Sequence, residues 1–166
     1  MDELHIYSKV GIMVKEVNDR ITRGMKSRSY RAANELRNAS QIVLRGQRSG
    51  RRYNVPGTGR VKYNKREHTA TVTYRKYTAS APGEAPAVRT GVFRESWQPR
   101  TETEGSRDNL SVKAMIESSV RTDNGKYLLG EVLEDGTSRM APRPYKEAIQ
   151  EKALPKIKKI YSEPYY

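Results

Sequence analysis

Cysteine is absent from all 166 residues, so disulfides and thiolate metal sites are excluded. Histidine is scarce: His5 and His68 stand far apart in sequence and leave little for an imidazole site, so no structural zinc and no other cofactor is expected. There is one tryptophan and one phenylalanine, Trp97 and Phe93. Both are read as core anchors rather than ligand-stacking groups. No apolar run reaches the ~18 residues that a membrane-spanning helix needs. The opening Met1-Asp2-Glu3 is acidic where a secretory signal has a basic region, so the expectation is a protein made and kept in a cytosol-like compartment, with no membrane partner. With hydrophobic residues at 35%, the core must be lean. The length suits a single domain, 1–166, part of which is expected to order only against a partner.

Positive charge is plentiful, and it is unevenly placed. Of the net +13, residues 1–80 hold 18 Lys or Arg against 6 Asp or Glu, whereas residues 81–166 hold 14 against 13. Basicity therefore belongs to the first half, and its natural neighbours are a polyanion, an acidic protein ring or an assembly surface.

The expected fold class is α+β. Val10, Val14, Val17, Ile21 and Met25, then Ala32, Leu36, Ala39 and Val43, recur at steps of mostly three or four, which predicts one long N-terminal helix ending near Gly46. Such a helix spans roughly 50 Å. Asp2 and Glu3 lie near its positive end and Arg45 near its negative end. Its weak place is Gly24–Tyr30, where a bend or break is the main risk. Arg20, Arg23, Lys26, Arg28 and Arg31 crowd that region, either as a solvated face or as a contact for an acidic partner.

Residues 45–79 read as a projecting, basic, β-rich arm. From Arg45 to Lys76 ten Lys or Arg face one acid, Glu67, with Tyr53, Tyr63, Tyr74 and Tyr77 interleaved. A turn falls at Val55–Gly59 and a strand at Thr69–Tyr77. Arginines, lysines and tyrosines together suit phosphates and bases, and they equally suit protein interfaces. Arg51, Arg52, Arg60, Lys62, Lys65 and Arg66 are the candidate contacts, toward a neighbouring subunit or toward DNA, with a merely solvated loop as the third reading.

Further along, Ala79–Pro86 is read as extended linker. Thr90–Trp97 forms a short helix capped by Thr90, with Val92, Phe93 and Trp97 inward. Gln98–Glu104 and a strand through Leu110, Val112, Ala114 and Ile116 make an antiparallel pair around a turn at Gly105–Asp108. Leu128, Leu129, Val132 and Leu133 are read as a buried strand, closed by a turn at Glu134-Asp135-Gly136. A C-terminal helix then starts near Pro144, buries Tyr145, Ala148, Ile149, Ala153, Ile157, Ile160 and Tyr161, and is kinked or broken near Pro155. Residues 162–166 are a tail, flexible or docked.

No chemistry-bearing motif emerges. Gly57-Thr58-Gly59 lacks the Gly-Lys-Ser/Thr ending of a phosphate loop, and no nucleophile elbow is present. Glu134 and Asp135, like Glu102 and Glu104, have no convergent third group, so catalysis and metal binding are not expected. Glu134 and Asp135 are read instead as interface acids, candidate partners of the basic arm across a subunit boundary.

Two segments carry a resemblance. SAPGEAPAVRTGVFRESW (Ser80–Trp97) and LEDGTSRMAPRPY (Leu133–Tyr145) together resemble the paired signature of the neck and tail-completion proteins of long-tailed bacteriophages. In that family a Pro- and Gly-rich segment leads into a short helix, and later an aliphatic-acidic-Gly-Thr segment leads through a proline pair into a closing helix. The likeness covers about half the chain, Ser80 to roughly Tyr161. It implies a structural virion protein, assembled in the host cytoplasm, that forms a homo-oligomeric ring, usually a hexamer, at the head-tail joint. Its implied partners are a connector or head-completion protein, a tail tube or tail terminator protein, and non-specifically the genomic DNA in the channel. The arm is longer and more basic than the resemblance requires. The rival reading is a non-specific nucleic-acid-binding protein of ribosomal or chromatin type.

Overall fold

The computed structural model describes residues 3–106 and 109–164. In chain order the elements are α1 (Glu3–Arg45), β1 (Arg52–Asn54), β2 (Arg60–Asn64), β3 (Thr69–Thr73), β4 (Lys76–Thr78), α2 (Val92–Glu95), β5 (Gln98–Glu104), β6 (Ser111–Glu117), α3 (Leu129–Asp135) and α4 (Lys146–Tyr161). This is an α+β fold: a long N-terminal helix, short antiparallel sheets and a C-terminal helix. Two compact units are formed, each from segments distant in sequence. Met1–Asn38, Gln98–Glu117 and Glu151–Tyr166 make the first, and Ala39–Trp97 with Ser118–Gln150 the second. No helix among the described residues is long and apolar enough to cross a membrane.

In the first unit α1 runs unbroken through Gly24–Tyr30. Tertiary contacts offset the weak local propensity there. Ser29 is buried, with its hydroxyl 3.2 Å from the Val112 carbonyl, to which it donates, and 3.1 Å from the Tyr161 hydroxyl. Ala32 and Ala33 are fully buried one turn later, and these small side chains let neighbouring backbone approach closely. β5 and β6 pair antiparallel from Gln98↔Glu117 to Glu104↔Ser111. Arg100–Glu117 and Lys113–Glu104 bridge the pair at 2.8 Å, both on exposed side chains of modest energetic weight. Of the expected turn at Gly105–Asp108, Gly105 has φ 94, and Arg107 and Asp108 lie outside the described residues.

α4 continues across Pro155 without the break that proline predicts. Ala153 and Ile160, on either side, are buried and hold it in place. Lys156 reaches Glu35 of α1 at 2.9 Å. The start of the tail docks on α1 of the same chain: Arg28 donates to the Pro164 carbonyl at 2.6 Å, and Arg31 clasps the Glu163 carboxylate, with one contact at 2.7 Å. Hydrogen bonding to Arg31 draws the Glu163 pKa down and raises that of Arg31. Tyr165 and Tyr166, like Asp2 at the helix start, lie outside the described residues.

The second unit is built on an aromatic trio. Phe93, Trp97 and Tyr145 meet edge to face, with ring centroids 5.5 to 5.8 Å apart. The Tyr145 hydroxyl donates to the Gly130 carbonyl at 3.0 Å. A Cβ at Gly130 would stand 2.7 Å from that hydroxyl, so glycine is what admits the contact. Three sequence expectations are corrected here. Leu129, Val132 and Leu133 lie in helix α3, not a strand, and Leu128 is its extended N-cap, bridged to Arg121; all four are half-buried. Gly91, in the left-handed region at φ 96, occupies the N-cap of α2 in place of Thr90, and Val92 points to solvent. α4 starts at Lys146, near Pro144 as expected, with Tyr145 as its cap. Ala148 and Tyr161, expected inside, are exposed.

Residues 79–86 are not a loose linker. Glu84 accepts from the Ser49 N–H (3.1 Å), the Ser49 hydroxyl (2.6 Å) and the Ala81 N–H (2.9 Å). These bonds hold its carboxyl down at about 2 against an ordinary 4.5. A depressed carboxyl contributes stability that is present above its unfolded value and lost as pH falls toward its folded one. Glu84→Gln should therefore melt at a lower temperature than the parent at pH 7. The two melting curves should converge between pH 4.5 and about 2. Equal curves at pH 7 would show that the clamp contributes nothing.

Candidate functional site

The basic ribbon of the second unit is the surface that its surroundings explain least. β1 pairs with β4 (Arg52↔Thr78, Tyr53↔Tyr77, Asn54↔Lys76) and β2 with β3 (Arg60↔Thr73 to Asn64↔Thr69), so one hairpin is nested in another. The Thr69–Tyr77 strand expected from sequence is thus two strands, parted at Tyr74-Arg75. On the facing side Pro56–Gly59 takes up the slack: Gly57 has φ 72, and the Thr58 hydroxyl donates to the Val55 carbonyl at 2.7 Å. Val55 is buried, and its N–H reaches the Arg75 carbonyl at 2.7 Å, which fixes the root of the inner hairpin.

Beyond that root every residue from Gly59 to Lys76 is exposed. Strand alternation divides the inner hairpin into two faces. Arg60, Lys62, Thr71 and Thr73 line one, while Val61, Tyr63, Ala70 and Val72 line the other. The turn Lys65–His68 is held by Asn64, whose side chain donates to Glu67 at 2.9 Å and accepts the Arg66 N–H at 3.1 Å. His68 sits at φ 50 with its Nδ1 3.2 Å from the Tyr63 hydroxyl, which ties the apolar face to the turn.

All six basic residues singled out from sequence are exposed on this ribbon or at its root, and the geometry separates them. Arg60 and Lys62 share a face, Lys65 and Arg66 occupy the turn, Arg52 lies in the outer pair, and the Arg51 guanidinium stands 5.9 Å from the Tyr53 ring centroid in a cation–π contact. Arg45, counted with the arm in sequence, closes α1.

The two interface acids prove unlike each other. Glu134 is half-buried, and its carboxylate accepts the N–H groups of Tyr145 (3.0 Å) and Lys146 (3.3 Å), capping the positive end of α4. Charge reversal at Glu134 therefore acts on this unit's fold before it acts on any neighbour. Asp135, the last residue of α3, is exposed and keeps its carboxylate at the surface. Of the core anchors, Trp97 is buried and Phe93 half-buried.

Sequence reading missed an open groove of about 770 Å³ in the same unit, whose walls include Tyr53, Tyr77, Val88, Leu133 and the arginines Arg89 and Arg121. Its residues come from seven separate stretches between Leu44 and Arg143, so no local pattern marks it. No group of three or more metal-ligating side chains occurs among the described residues. No protein-family model, curated protein or solved structure matches this chain.

Proposed function

We propose that this protein is a ring-forming structural component of a phage virion, the neck or tail-completion subunit between head and tail, whose work is binding and geometry rather than catalysis. One observation carries the reading: a two-faced hairpin exposed along its whole length, with Val61 71% exposed. A two-stranded hairpin is marginal in water until a second layer covers its apolar face. A neighbouring subunit or an adjoining ring supplies that layer. The opposite face, with Arg60 and Lys62 beside the Lys65-Arg66 turn, is left to meet the DNA passing through the channel. Contact of that kind is independent of base sequence and steeply dependent on salt.

The resemblance of Ser80–Trp97 and Leu133–Tyr145 to the neck family supplies the place in the virion. It also supplies the adjoining partners, a connector or head-completion protein on one side and a tail tube or terminator on the other. Native mass spectrometry of the purified protein, beside a DNA-binding titration at two salt concentrations, tests the proposal. A ring, or recruitment into one by tail components, is the expected result. Tight binding by a monomer that never assembles would overturn it in favour of a nucleic-acid-binding protein of ribosomal or chromatin type.

A further inference from the structure

The hydrogen bonds and ion pairs that tie α1 into the first unit involve Arg28, Ser29, Arg31 and Glu35. N-terminal to them the helix continues for 25 residues, Glu3 to Ser27, roughly 37 Å at 1.5 Å per residue, with Arg20, Gly24 and Ser27 still beside Glu163 and Pro164 of the tail. On it Met13, Val14, Val17 and Ile21 are exposed, Val14 and Val17 each by 54%. Exposed apolar side chains in such a row call for a covering partner.

Three features identify what covers the stripe. The first is period. Val10, Val14, Val17 and Ile21 follow one another at steps of four, three and four, the alternation of a heptad seam, which selects another helix lying at a shallow angle rather than a sheet or an extended peptide. The second is charge. In a half-chain at +12, the stretch from Met13 to Ile21 is neutral, with Lys15 and Arg20 set against Glu16 and Asp19 at helical spacing of four. Two copies of this stretch meet without the repulsion that two copies of the ribbon would feel. The third is the balance of charge at the two ends. After the seam come Arg23, Lys26 and Arg28, whereas Asp2 and Glu3 offset Lys9 before it, so a parallel pair would set the basic ends side by side, and an antiparallel pair keeps them apart. We infer that the N-terminal half of α1 pairs antiparallel with the same segment of a second copy, Val14 of each chain opposite Val17 of the other.

The contact is short, so the dimer is reversible and concentration-dependent. It is also independent of the ring reading, since a two-fold contact closes at two copies whereas a ring needs a head-to-tail one.

Sedimentation velocity over a concentration series tests the pairing. With rising concentration the parent, whether single chain or ring, should move toward twice its unpaired mass, and Val14→Glu with Val17→Glu should hold it at the unpaired mass with unchanged far-UV circular dichroism. Because the parent has no cysteine, the single variants Val14→Cys and Val17→Cys give an orientation readout that does not depend on a disruptive change. A short bismaleimide should cross-link the mixture of the two several-fold more than either alone. Three outcomes overturn the inference: a parent that stays monomeric up to about 1 mM, a higher assembly whose order the double glutamate variant leaves unchanged, or cross-linking of each single variant as strong as that of the mixture.

Discussion

Tyr145→Ala is expected to remove about 3–5 kcal/mol of stability, the range for deleting a large buried aromatic. A domain has about 5–15 kcal/mol in all, so the variant should sit near the unfolding threshold at 37 °C. Tyr145 is 1% exposed, contacts both Phe93 and Trp97 edge to face, and donates to Gly130 while its own N–H caps against Glu134. Tyr145→Phe keeps the ring contacts and loses the hydroxyl bond, for a cost of about 1 kcal/mol. Burial, reinforced by the carboxylates of Glu134, Asp135 and Glu131, raises the phenol well above its ordinary 10.0. An acid whose folded value is raised contributes stability below its unfolded value that is lost as pH rises past it. Chemical denaturation should therefore show the parent weakening above pH 10.0 and Tyr145→Phe lacking that component. An alanine variant with a midpoint within error of the parent would mean that the trio does not organise this unit.

The elements legible in sequence are those whose signal is local. α1 and the β5–β6 pair carry their periods in consecutive residues, and the ribbon announces itself through charge, tyrosines and glycines. α3 reads as a strand although its signal is also local: Leu128, Leu129, Val132 and Leu133 lie at i, i+1, i+4 and i+5, a helical spacing. The Asp135-Gly136 pair reads as a turn closing a strand, whereas Gly136, at φ 76, ends a helix. What sequence could not carry is anything closed over distance. Ser29 reads as a helix weakness until Tyr161 arrives 132 residues later. Glu134 reads as a surface acid until α4 turns its first N–H groups toward it. Arg28 and Arg31 read as part of a solvated charge run until Glu163 and Pro164 lie against them.

The functional reading meets its strongest test where the apolar face of the inner hairpin and the basic residues of the whole ribbon are altered separately. Replacing Val61, Tyr63 and Val72 with serine removes the apolar face and keeps every positive charge. Replacing Arg51, Arg52, Arg60, Lys62, Lys65 and Arg66 with serine does the converse. If the apolar face seats on a neighbouring subunit, the first variant should fail to form rings by native mass spectrometry while still binding DNA as the parent does. If the basic face meets channel DNA, the second should assemble but lose most of its salt dependence. Each phosphate contact removed lowers the log–log slope by about 0.9, so six lost contacts amount to a change of about 5. The two outcomes cannot be exchanged by a general loss of fold, because every substituted side chain is exposed. Infectious particle yield should fall in both variants, through assembly in one and through DNA handling in the other. A basic-face variant with normal rings, normal salt slope and normal yield would leave the ribbon's charge without a function. An apolar-face variant that still forms rings would move the subunit contact elsewhere in the chain.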